Sequence, residues 1–352
     1  TGWNKLMSES DFTNSIYYNL FLNDGASNYS DYWMSSRSLM QTSSHSNFSL
    51  RCIENSMVTN VTMVDQYGND YDTVTCALRP VITLNSNVLI KSGDGASVGT
   101  AYEFYTEEIT SMPKTLSSIV NVGDYVAYIS DTVTTEKHNT FISELGTYSG
   151  NTDTSYNTTT TIKQERLNWR VLDIVDGKVR LISETPTSTS EVRLYGAKGY
   201  NNAVYLLDKT CNTFYNKTGY TKNVQSLKIE DIEKYLTYDY TSYKNSNVDT
   251  GKYGGTKTYT SANYRYYPNI FAKEKTGWVD GVQGTELDLS EQTTLINATS
   301  TQAGDDGIKV TQTYWNKSMT EADFLNAKYY NLFINDGENN YPTKNSVILF
   351  LL

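Results

Sequence analysis

Side-chain chemistry needs nucleophiles, bases or metal ligands brought together, and this sequence supplies few of the usual ones: three cysteines and two histidines in 352 residues. Cys52 and Cys76 fall on neighbouring predicted strands. An oxidising setting would permit a disulfide between them, while two buried thiols acting as small hydrophobes account for the same pattern. Cys211 lies on the apolar face of a predicted helix and reads as core. None of the three has a nearby histidine or a C-x-x-C partner, so neither zinc nor thiol catalysis is indicated. His45 and His138 sit among polar residues and read as solvent-exposed. No G-x-S-x-G elbow announces a nucleophile, and no catalytic residue is assigned. The oxygen-rich turn of Asp65, Asn69, Asp70 and Asp72 has enough ligands to hold calcium, although it lacks the EF-hand pattern and a solvated acidic turn explains it better. No other cofactor is expected.

The bulk composition narrows the partners. Acidic side chains outnumber basic ones 39 to 29, giving a net charge of −10. That balance argues against nucleic acid and against an anionic membrane surface, both of which favour clustered Lys and Arg. Although only 38% of residues are hydrophobic, 30 Tyr, 10 Phe and 5 Trp supply large apolar area, which argues for a folded chain. Abundant Tyr, Ser and Asn is also the composition of a protein-recognition surface, since Tyr gives rigid amphipathic area and Ser and Asn adaptable hydrogen bonds. The longest purely apolar run, residues 347–352, is far short of the roughly 20 residues that span a bilayer, so no membrane span is expected in this chain.

These residues have to be positioned by elements, and an internal repeat organises them. TGWNKLMSESDFTNSIYYNLFLNDGASNY at the N-terminus returns as TYWNKSMTEADFLNAKYYNLFINDGENNY at a constant offset, Trp3 matching Trp315 and Phe12 matching Phe324. A period of this size is not a short solenoid repeat. The expected organisation is a window on a tandem array: residues 1–90 as the C-terminal part of one module, 91–118 as a linker, and 119–352 as a second module. Within each copy, Ser8-x-x-Asp11 or Thr320-x-x-Asp323 starts a helix that Asn-Asp-Gly stops. Residues 32–84 read as an antiparallel meander of short strands, with Pro80 at an edge or bulge. Runs at 167–175 and 178–184 flank Asp176-Gly177, a type I′ hairpin signal. Residues 148–161 read as an exposed loop, 201–214 and 229–236 as helices, and the tyrosine-dense stretch 235–267 as a surface or binding loop. The fold class is α+β.

The order of several motifs resembles a known family. Tyr32-Trp33-Met34-Ser35-Ser36-Arg37 is followed by Leu78-Arg79-Pro80-Val81-Ile82-Thr83-Leu84. Later come Val122-Gly123-Asp124-Tyr125-Val126, Asn168-Trp169-Arg170-Val171-Leu172 and the run from Gly199-Tyr200-Asn201 to Leu207. Together they resemble an uncharacterised domain family of secreted and surface proteins in gut Firmicutes. The resemblance implies a C-type-lectin-like fold, similar to the sulfatase-modifying-factor group, with antiparallel sheets and a few short helices, and an extracellular or cell-surface location. It places a ligand-binding face on the 32–79 meander, with Tyr32, Trp33, Arg37, Arg51, Tyr67, Asn69 and Tyr71 as candidates; Trp33 and Arg37 read alternatively as core and ion-pair residues. The Glu-Pro-Asn and Trp-Asn-Asp signatures of calcium-dependent lectins are missing, and no cysteine pair matches the formylglycine-forming relatives.

One departure from the pattern matters. Residues 343–352 do not continue into a second YW-SR segment, so residues 1–90 carry what the second module lacks. The leading piece is therefore expected to dock on the following one as a circular permutant, the two copies of the helix competing for one site. The functional expectation is a secreted or surface ligand-binding or adhesion module, its partners a surface glycan or protein ligand and neighbouring repeat modules. The alternatives are a structural stalk or pilus-associated repeat, and an enzyme with an unadvertised site.

Overall fold

A computed structural model of the chain describes residues 5–23, 31–41, 46–65, 74–105 and 114–238, together with three short strands at 266–267, 301–302 and 308–310. In chain order the elements are β1 (Lys5–Leu6), α1 (Ser15–Leu22), β2 (Tyr32–Gln41), β3 (Ser46–Glu54), β4 (Met57–Asp65), β5 (Val74–Ala77), β6 (Pro80–Leu84), β7 (Ile90–Ser92) and β8 (Glu103–Phe104). They continue as β9 (Tyr125–Val126), α2 (Thr135–Tyr148), β10 (Trp169–Val175), β11 (Lys178–Ser183), β12 (Glu191–Leu194), α3 (Gly196–Tyr215), β13 (Thr221–Ser226) and α4 (Ile229–Glu233). The protein is α+β, with sheets that are antiparallel except where Tyr32 of β2 meets Ala77 of β5 in parallel.

The meander expected over 32–84 forms only in part. Strands β2, β3 and β4 pair antiparallel, the β3–β4 turn using Asn55 and Ser56 at positive φ. The chain then departs from the meander: β5 returns to the far side of β2 and pairs with β12, giving the order β1-β4-β3-β2-β5-β12. Immediately afterwards β6 crosses into a second sheet of order β13-β6-β11-β10-β9. Pro80 opens β6, the strand position where a missing N–H costs no interior ladder bond. Asp176 and Gly177, both at positive φ, close the β10–β11 hairpin that the sequence announces.

Both sheets are covered on both faces along these strands, which successive residues make visible. Tyr32, Met34, Val81, Leu172 and Ile182 join one apolar cluster with α1 and α4; Trp33, Ile82, Val171 and Leu181 join another with α2 and α3. Because side chains alternate across a strand, each strand feeds two cores at once. Strands from residues 5–84 and from 125–226 are interleaved in both sheets, so the two stretches share their cores. The 91–118 segment is not an extended linker: of its described residues, Tyr102, Phe104 and Leu116 are buried in the same cluster as Trp33. The loop 148–161 likewise turns inward at Ser149 and Asn157. Asn157 exchanges hydrogen bonds with the backbone of Arg193 and so completes the edge strand β12. Among the described residues no helix is long and apolar enough to cross a membrane.

Candidate functional site

The members of the sequence-derived binding face whose side chains are described lie in the interior. Tyr32, Trp33 and Arg51 are all buried, because the first sheet is packed on both sides. Trp33 Nε1 donates to the carbonyl of Val192 at 2.8 Å, tying β2 to the β12 segment. Tyr32 Oη donates to the carbonyl of Phe21 at 2.6 Å, and Arg79 Nη2 donates to that of Leu20 at 2.5 Å. These are carbonyls at the C-terminal end of α1, which lack partners within the helix and attract positive charge. The YW and RP motifs therefore act here as a clamp on α1. For Arg51, burial lowers the guanidinium pKa to about 10 against the opposing pull of Glu233. Arg37 lies in β2 with its side chain outside the described residues, and Tyr67, Asn69 and Tyr71 lie outside the described residues altogether.

The calcium turn falls largely outside the described residues, whereas the two cysteines are placed. Asp65 pairs with Asn47 through the backbone at the end of β4, and Asn69, Asp70 and Asp72 lie outside the described residues. Among the described residues no group of three His, Cys, Asp or Glu is placed to hold a metal. Cys52 and Cys76 are free and buried. They are not on neighbouring strands, since β2 runs between β3 and β5. Two strand spacings amount to roughly 9.5 Å, beyond the roughly 7 Å limit for a bridge. Burial pushes the Cys52 thiol up to about 12 and raises those of Cys76 and Cys211 as well. His138 is not solvent-exposed: its ring is half-buried edge-on against Phe214, with Nε2 at 2.6 Å from the carbonyl of Ile162. His45 lies outside the described residues.

A buried polar cluster fixes the other side of the molecule. The Arg180 guanidinium grips both oxygens of Asp173 at 2.6 and 2.5 Å and Asp231 at 2.6 Å, joining β10, β11 and α4. Tyr235 donates its hydroxyl to Asp173 while its ring stacks on Tyr17 of α1 at 3.7 Å. Burial pushes the Asp173 carboxyl up, but the guanidinium more than offsets this and holds it below the ordinary carboxylate range. The cluster's ionised groups are paired with one another and Asp231 also accepts the Lys228 N–H that starts α4, which gives it an architectural role.

The open chemistry lies between α2 and α3. Thr134 starts α2 by accepting the N–H of Lys137 at 3.2 Å, Glu136 sits in the favourable first turn, and Phe141 and Leu145, one turn apart, anchor it to the core. Helix α3 begins five residues before the expected 201 and buries Tyr200, Ala203, Leu207, Cys211 and Phe214 along one stripe. Where the two helices diverge they leave a cleft of about 350 Å³ with Phe141 in its lining. Its volume falls in the roughly 300–1,000 Å³ range of small-molecule sites.

Three side chains organise the cleft. Lys209 Nζ lies 3.1 Å from Glu144 Oε2 and donates to Tyr205 Oη at 2.9 Å, while Tyr205 donates to Glu144 Oε1 at 2.5 Å. The triangle satisfies the Tyr205 hydroxyl as both acceptor and donor and engages two of the three N–H groups of Lys209. Glu136 and Lys137 add charge of both signs, and Thr134, Thr140 and Thr213 line the walls. Such a set can hydrogen-bond a polar ligand and pack one apolar face against Phe141. It pairs no nucleophile with a base.

The sequence reading missed this site because it assigned no helix to residues 135–148. The signals were present: a Thr N-cap, an acidic first turn, and an i, i+4 apolar pair in otherwise polar surroundings. Comparison with models of known protein families, with curated proteins and with solved structures finds no match for this chain.

Proposed function

We propose that the chain is a ligand-binding or adhesion module of a tandem-repeat protein that acts outside the cell or at its surface, with a C-type-lectin-like arrangement of its α+β fold. The observation that carries this reading is the α2–α3 cleft, where a lysine held by Glu144 and Tyr205 stands beside threonine hydroxyls and an aromatic side chain. Hydroxyl-rich ligands such as surface glycans are bound by this combination of charge-assisted hydrogen bonds and apolar contact. A protein ligand would present an acidic or amide side chain to the same lysine. The lectin-like reading is supported by two longer helices laid against antiparallel sheets, and by the motif order in the sequence.

The test is a screen of the folded, full-length chain against arrayed glycans and surface proteins, with calcium and with a chelator. Saturable, selective binding that survives the chelator supports recognition at the cleft, which has no ligand set for calcium. A folded chain that binds nothing in either condition overturns the reading.

A further inference from the structure

The repeated segment can be judged against the environment of its first copy. Residues 5–22 fill a groove whose far wall comes from residues 121–124 and 235–237. Thr13 N–H donates to the carbonyl of Tyr235 at 2.7 Å, Thr237 N–H donates to that of Asp11 at 2.8 Å, and Phe12 bridges to Leu236. Tyr17 stacks on Tyr235, and Ile16 packs over Gly123.

Differences between the copies follow burial in this docked state. The buried Met7, Phe12, Leu20 and Phe21 recur as Met319, Phe324, Leu332 and Phe333, and the buried Leu22 becomes the near-isosteric Ile334. The stacking Tyr17 and the helix-capping Asn14 and Asp11 recur as Tyr329, Asn326 and Asp323. Changes fall instead on exposed positions: Leu6, 70% exposed, becomes Ser318, and the exposed Ser10, Thr13 and Ser15 become Ala322, Leu325 and Ala327. The half-buried Ile16, replaced by Lys328, is the exception, and a lysine stem can follow an isoleucine path while its head reaches solvent.

From this juxtaposition we propose that residues 313–334 are a second docking segment, complementary to the groove that residues 5–22 fill, and that they engage it in a second copy of this chain. The first segment is tethered directly to β2 of the same sheet and so holds the groove of its own chain at high effective concentration; the second segment engages the groove of a copy whose first segment has been released. Exchange of one segment for its near-copy keeps the residue type at most of the buried positions, the condition under which swapped assembly costs little. This inference concerns self-assembly and does not depend on the ligand-binding cleft.

The test weakens the first segment in the full chain. Phe21→Ser is expected to shift the chain from monomer to a species of twice the mass by light scattering, increasingly with concentration, while keeping a melting temperature within a few degrees of wild type. Adding Phe333→Ser should abolish both the mass doubling and the retained melt. A monomeric Phe21→Ser chain that melts as low as the double variant overturns the proposal. A monomer whose melt still depends on Phe333 overturns the intermolecular assignment. If Phe21→Ser aggregates, a photo-crosslinker at the exposed position of Thr237 in a Phe21→Ala chain reports the same contact in mixed isotope-labelled copies. Adducts between copies to residues 313–334 are expected, and adducts confined to residues 8–14 overturn it.

Discussion

Replacing Arg180 by methionine removes a guanidinium that bridges two buried carboxylates. In the wild-type chain Arg180, Asp173 and Asp231 are 11%, 8% and 5% exposed, and three charge-assisted hydrogen bonds of 2.5 to 2.6 Å join them. Breaking a buried ion pair costs about 3–5 kcal/mol because the surviving charge is left uncompensated, and losing a bridge to two carboxylates belongs near the middle of that range or above, about 4 kcal/mol. For a folded unit of this size, about 2–4 °C per kcal/mol translates that into a fall of about 8–16 °C in Tm. The pH dependence carries the sharper signature. In the wild type Asp173 titrates below its unfolded value near 3.9, so its contribution is fully present above about pH 4 and is lost as pH falls through the lowered folded value. Without the guanidinium, burial is opposed only by the Tyr235 hydroxyl and the charge of Lys234, and the Asp173 carboxyl rises. The folded state then binds more protons than the unfolded one, and stability falls as pH rises through that raised value. Urea midpoints at pH 5 and 7.5 should therefore bring the variant closer to the wild type at pH 5. An unchanged midpoint, or a gap that widens at pH 5, would refute the assignment of this cluster as a buried, guanidinium-held anchor.

Other outcomes follow from single positions. Gly150 sits at φ +75° with an added Cβ only 2.0 Å from the Tyr195 carbonyl oxygen, so Gly150→Ala should cost about 2–4 kcal/mol by chemical denaturation. An unchanged urea midpoint would mean that the α2–α3 junction is built differently. Glu165 accepts hydrogen bonds from the N–H groups of Ser188, Thr189 and Ser190, which overcome the opposing effect of burial and hold its carboxyl at about 2. Its contribution is present above the unfolded value near 4.3 and lost as pH falls toward 2. Glu165→Gln should therefore lower stability at pH 7 by about 1 kcal/mol after solvent screening, and the difference should vanish near pH 2. The three thiols should be silent to a chromogenic disulfide reagent in the native protein and all should react in denaturant, with no added thiols after reduction. A reduction-dependent increase would restore a disulfide.

Much of the local structure is legible in the sequence, because local signals govern it. Asp176-Gly177 demands positive φ and yields the hairpin, and the apolar stripe from Tyr200 to Phe214 yields α3. The Ser8-x-x-Asp11 signal, by contrast, starts only a short 3₁₀ turn, and α1 begins later with Asn14 as its cap. Legibility ends where strand order departs from chain order. Nothing local in residues 74–84 reveals that β5 joins one sheet and β6 the other, and without that knowledge Cys52 and Cys76 read as neighbours. The binding-face residues illustrate a second limit. Tyr32 and Trp33 point to opposite faces, so one of them must be exposed unless both faces are covered, and the covering elements α1 and α3 lie in distant parts of the sequence. The cleft eluded the sequence because its lysine and glutamate come from helices about 65 residues apart, Glu144 and Lys209 having no motif in common.

On the proposed function, the α2–α3 cleft holds the ligand. The most direct measurement compares wild type, Lys209→Met and Glu144→Gln on the same glycan and protein array, with thermal melts run in parallel. Lys209 is 31% exposed, and glutamine in place of the more buried Glu144 keeps an acceptor for the Tyr205 hydroxyl, so the melts should shift by no more than a few degrees, while selective binding weakens at least tenfold or disappears in both variants. Undiminished binding by folded variants would place recognition elsewhere on the molecule and contradict the account.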